Sequence, residues 1–140
     1  MPRHPWLIAV TLAAACSGSG QSPDAMPPPP DAYVPTRTCT PAEVESDVFP
    51  ITCTFGQCHG GPSPIVGLDL ESPGAMDLMS NTPSANCPDR ILLVPGDPTR
   101  SLLLEKLLPQ PSCGGQMPSP GNPLPIEKVD CVRTAIESMQ

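Results

Sequence analysis

Cysteine is the residue that most restricts how this chain can fold, recurring at positions 16, 39, 53, 58, 87, 113 and 131. Seven cysteines among 140 residues point to an oxidising compartment and a cross-linked domain. What the chain lacks explains why cross-links are needed. Its only aromatic residues are Trp6, Tyr33, Phe49 and Phe55, so a domain beginning near Cys39 owns two rings. Ordering about 100 residues costs on the order of 100–200 kcal/mol of conformational entropy. A small domain with few large side chains offsets that cost with difficulty, so disulfides, a bound cofactor or both must contribute.

Residues 1–15 read as a bacterial signal peptide: a basic start at Arg3, an apolar run from Trp6 and small residues before Cys16. The run is too short to span a bilayer as a helix. Leu12-Ala13-Ala14-Ala15-Cys16 resembles a lipoprotein processing site, which makes Cys16 the lipidated first residue of the mature protein. Ordinary cleavage after Ala-x-Ala is the alternative, and it leaves Cys16 as a free thiol. From residue 16 to 38 the chain is rich in Ser, Gly and Pro, including Pro27 to Pro30, and reads as a tether between a membrane and the domain 39–140. A Pro-rich recognition motif is the other reading of that stretch. Lipidation of Cys16 leaves six cysteines, an even number. The net charge of −7 supplies no basic stripe for phosphates, so nucleic acid is not an expected partner. The expected location is extracytoplasmic, anchored to the cell or outer membrane and facing the periplasm or the exterior.

Within 39–140 the pattern predicts an all-α fold of about four short helices joined by long loops. Thr40-Pro41-Ala42-Glu43 carries a cap, a first-turn proline and a capping-box glutamate. Val44 and Val48 give that helix one apolar side before Pro50 ends it. Gly67-Leu68-Asp69-Leu70 reads as a short extended piece, and Ser72-Pro73 starts a helix to about Met79. Ile91 to Val94 form an apolar run. Asp97-Pro98 caps a helix to Leu108, with Leu102, Leu103, Leu107 and Leu108 as its apolar face. A last helix, Pro125 to Ser138, carries Ile126, Val129, Val132 and Ile136 at spacings of three and four. Neither a nucleotide-binding glycine pattern nor a catalytic triad signature is present.

The chemistry centres on Cys53-Thr54-Phe55-Gly56-Gln57-Cys58-His59-Gly60. Two thiols followed directly by an imidazole form the layout of a c-type haem attachment site, here with four intervening residues where two are usual. The order of helix, Cys/Cys/His, long loop, Leu-rich helix, Met117-Pro118 loop and C-terminal helix resembles the cytochrome c family. Gly67 to Leu70, Val94 to Pro98 and Ser101 to Leu103 add to the likeness, which spans about 100 residues. The resemblance implies a small cytochrome c-like domain carrying one covalent haem c, with Cys53 and Cys58 as thioether links and His59 as the proximal iron ligand. His59 is the only histidine after the leader. Met76, Met79, Met117 and Met139 are the distal candidates, and Met117 is preferred because glycines and Pro118 flank it. The same resemblance implies crossed first and last helices, and with them the pairs Cys39–Cys131 and Cys87–Cys113; cysteine parity alone leaves three connectivities open. The implied work is one-electron transfer with an unidentified redox protein partner rather than catalysis.

Two other readings follow from the same residues. Six cysteines can form three disulfides in a haem-free surface or partner-binding module. A zinc site built from Cys53, Cys58, His59 and a further Cys is the third arrangement, and an oxidising compartment disfavours it.

Overall fold

A computed structural model describes residues 33–140. The signal peptide, Cys16 with its lipidation, and the tether as far as residue 32 lie outside the described residues. Five α-helices and three short 3₁₀ turns make up the described chain, which contains isolated β-bridges and no strand. The domain is helix-rich, as its punctuated apolar periodicity predicts.

Helix α1 (Pro41–Asp47) starts where the capping signal places it. Glu43 N donates to Thr40 Oγ1 at 3.3 Å, and Thr40 N donates back to Glu43 Oε2 at 2.8 Å. Pro50 does not end the run of helix. A second helix, α2 (Phe49–Thr52), begins just after Val48 and takes Pro50 in its first turn, where no N–H is required. That turn sends Phe49 into the core and delivers Cys53 at its end.

Helix α3 (Ala75–Met79) is shorter than the expected run from Ser72, because Ser72 is drawn into a turn closed by Asp69. Its start is capped from a distance. Gly74 adopts φ 80°, and the Glu45 carboxylate on α1 accepts from Gly74 N at 2.9 Å and Met76 N at 2.8 Å. The cap locks α3 onto α1 and buries Met76 and Met79.

The apolar run 91–94 forms single bridges to Ser80, Pro83 and Ser101. The helix expected from Asp97 is broken. Pro98–Arg100 forms a 3₁₀ turn capped by Asp97, Ser101 is extended, and α4 (Leu102–Leu107) follows. The break rotates the leucines, so that Leu104 packs into the core and Leu103 is left half-buried. Helix α5 (Ile126–Ser138) is the longest element, and α1 and α4 pack against it. Its buried face is wider than the predicted stripe, taking in Asp130, Cys131, Thr134 and Ala135, whereas Ile126 is exposed.

Two disulfides staple these pieces: Cys39–Cys131 joins the start of α1 to α5, and Cys87–Cys113 ties two loops. Both pairs are those the family resemblance implies. Residues 33–38 also run against α5. Thr36 donates from N and Oγ1 to the buried Asp130 Oδ2, each at 2.7 Å, and the Arg133 guanidinium lies 4.9 Å from the centre of the Tyr33 ring. Among the described residues only one aromatic ring, that of Phe49, sits in the core; the rest is Val, Leu, Ile, Met, Ala and Cys. Among the described residues, no helix is long and apolar enough to cross a membrane.

Cys39 and Cys131 are 92 positions apart, so their bond restrains almost the whole unfolded domain. The paired change Cys39→Ser/Cys131→Ser is expected to lower stability by about 2–5 kcal/mol, more than Cys87→Ser/Cys113→Ser, whose separation is 26. Urea unfolding of each variant under non-reducing conditions reads the difference.

Candidate functional site

The segment that leaves α2 folds back on itself within seven residues. Cys53 N and Thr54 N both donate to Phe49 O, which closes α2. Gly56 turns the chain at φ 64°, a conformation that favours glycine. His59 N then donates to Cys53 O at 3.0 Å, Ile65 N to Cys58 O at 2.7 Å and Leu70 N to His59 O at 2.7 Å. The backbone on both sides of His59 is thereby fixed. Gly60 sits against Thr54 and Glu71, where a Cβ would lie 2.9 Å from Thr54 Cβ, and Glu71 Oε2 accepts from Gly61 N at 2.6 Å. The loop cannot carry a larger residue at 60 without moving.

Met117 arrives from the other side. Its N–H donates to Lys106 O on α4 at 2.7 Å, and Gln116 Nε2 donates to Leu107 O at 3.0 Å. Between the two loops lies a cavity of about 450 Å³. Cys53, Cys58, His59 and Met117 all line it, so the structure gathers at one place four residues that span 64 positions of sequence. Met79 lines it too, whereas Met76 is fully buried in the core. The remaining walls are mostly apolar, led by leucines from the 68–70 segment, the 91–94 run and α4, with Thr52, Ser84, Asn86 and Ser119 as polar members.

Two further features of the cavity went unread in the sequence. Its mouth is ringed by Ile51, Phe55, Ile65 and Val66, large apolar side chains that are 54–79% exposed. A usable signal was present: these four lie in turns and short segments that offer no buried helical face. The other feature is Lys106, the one charged residue in the lining, which periodicity assigns only to the polar side of α4.

Burial raises the Cys53 thiol above its ordinary range, against a weaker opposing effect from Thr52, whose Oγ1 is 3.4 Å from Cys53 Sγ. Cys53 is thus held as a neutral thiol. Burial also lowers the His59 pKa, and the nearby carbonyls of Leu68 and Ile65 oppose the shift. His59 Nδ1 is buried without a hydrogen-bond partner.

The expected cofactor, one covalent haem c, is corrected here. Cys39, Cys87, Cys113 and Cys131 are consumed in disulfides, while Cys53 and Cys58 remain free thiols. No group of three or more His, Cys, Asp or Glu side chains comes together to hold a metal ion among the described residues. The same finding removes the zinc arrangement. The physical reason lies in the donor set: pairing removes four of the six cysteine thiols among the described residues, and burial keeps Cys53 protonated. No protein-family model, curated protein or solved structure matches the chain.

The depressed His59 pKa makes stability depend on pH with a definite sign. The unfolded imidazole binds protons more readily than the native one, so stability rises with pH across this range. The contribution is complete above the ordinary value of 6.5 and is lost as pH falls from there towards the lower native value. Urea midpoints at pH 7.5 and 5.5 are expected to show this loss, and His59→Gln to reduce it.

Proposed function

We propose that this chain is a haem-free, disulfide-stabilised extracytoplasmic module, tethered to a membrane through lipidated Cys16, that binds a predominantly apolar small molecule. The observation that carries this reading is the 450 Å³ apolar cavity with its exposed apolar mouth. The volume falls within the range of small-molecule sites, which are concave, mostly apolar and fitted with a few polar groups. Water finds few hydrogen-bond partners along leucine walls, so an apolar occupant is favoured there. Large side chains such as Phe55, 79% exposed, are costly to leave in water unless something covers them. On this reading the likeness to cytochrome c modules is one of helix order and of the convergence of His59 and Met117, without the covalent cofactor. The module is read as a binder rather than a catalyst. The tether, rich in Pro, Ser and Gly, holds it clear of the lipid surface.

The protein extracted from cell membranes tests this. Alkylation under denaturing, non-reducing conditions is expected to label two thiols, at Cys53 and Cys58, with no covalent adduct in the intact mass beyond the lipid on Cys16. The neutral fluorophore N-phenyl-1-naphthylamine is expected to bind saturably at one site, and Phe55→Ser to weaken it several-fold at unchanged fold. Absence of saturable binding, or a coloured covalent adduct on Cys53 and Cys58, overturns the proposal. Separately, Cys16→Ala is expected to move the protein from the membrane fraction to the soluble one.

A further inference from the structure

The cavity's one charged lining residue narrows the chemistry of what enters it. Lys106 comes from α4, beside the Met117 loop. Its ammonium donates to the carbonyls of Cys113 and Gly115, the latter at 3.3 Å. Two donors are used in this way, and an ammonium has three. The loop closes tightly on the amine, since a Cβ at Gly114 would lie 2.7 Å from Lys106 Nζ. None of the three ion pairs among the described residues includes Lys106; the acidic partners Asp47, Glu105 and Asp97 are taken by Arg37, Arg90 and Arg100. A chain of net charge −7 therefore lines its apolar cavity with a lysine that has no carboxylate partner. Charged groups of that kind acquire a counter-charge or hydrogen-bond acceptors when partly desolvated.

We infer that the cavity takes a free single-chain anionic amphiphile, its apolar body against the leucine walls and its carboxylate at Lys106. This rests on the cavity being a ligand site and adds the head group. Net negative charge over the rest of the domain repels an anion, so a preference for one has to originate locally. His59, with its neutral ring favoured, and the hydroxyls in the lining supply no competing positive charge.

Displacement of N-phenyl-1-naphthylamine from the mature protein by dodecanoate, dodecanol and dodecylamine, at pH 8 and low salt, tests the head group. Dodecanoate is expected to compete about tenfold better than dodecanol, in line with a charge-assisted contact, with dodecylamine weakest. Lys106→Met should bring dodecanoate to parity with dodecanol or below it, and Lys106→Arg should retain the preference. Sodium chloride at 0.5 M should narrow it in the unmodified protein. Equal competition by dodecanoate and dodecanol in the unmodified protein overturns the assignment while leaving the cavity reading in place. Binding to anionic phospholipid vesicles without competition by dodecanoate overturns it in favour of a membrane surface. Failure of the fluorophore to bind at all overturns the cavity reading instead. Should Lys106→Met unfold, the salt series and the dodecanol comparison decide the matter.

Discussion

Everything in this domain depends on holding its first and last helices together, and the Cys39–Cys131 bond does so covalently. One buried phenylalanine cannot anchor the core of a domain of about 100 residues as several aromatic side chains would. The bond fixes the start of α1 beside the middle of α5, and weaker contacts then find their geometry around it. Lys128 Nζ donates to Asp47 O at 2.8 Å at the far end of α1. Cys39 N donates to Thr134 Oγ1 at 2.9 Å, and Asp130 receives Thr36. Glu45 extends the same frame to α3 by capping a helix with no side-chain cap of its own. The frame is thus assembled from one cross-link and a few long-range hydrogen bonds laid over aliphatic packing.

With that frame on the α5 side, the rest of the chain is free to be irregular. The residues lining the cavity come from α2 and the segment after it, the 68–70 piece, Met79 of α3, the 84–87 loop, Leu92, α4, the Met117 loop and Leu124, and none comes from α5. Leu70, Met79, Leu107 and Leu124 belong both to the core and to the lining, so the cavity opens off the edge of the core that α5 organises. The loops around the cavity are held by backbone hydrogen bonds, such as Leu70 N to His59 O, rather than by packing across the site. A site of that kind keeps its walls without filling its interior.

The local features that a sequence can carry were legible. The capping box at Thr40 and Glu43, the apolar side of α1, and the extent of α5 follow from short-range spacing, and the structure reproduces them. The two disulfides agree with a resemblance in helix order. The helix ends that went wrong did so for identifiable reasons. Pro50 signals the end of a helix, but a proline in the first turn of a new helix costs nothing. Asp97 signals the cap of one continuous helix, but Ser101 is held extended by its pairing with Ile91.

The site divides along the same line. Short-range pattern carries the identity and order of Cys53, Cys58, His59 and Met117 and the order of the helices between them. Only the tertiary structure decided what those residues amount to. Which sulfurs pair, whether donors cluster around a metal, how far the loops stand apart, and that Lys106 shares the lining all depend on distances between segments remote in the chain. Short-range spacing encodes backbone conformation. It does not encode the separation of two loops, which is set by the sum of packing around α5.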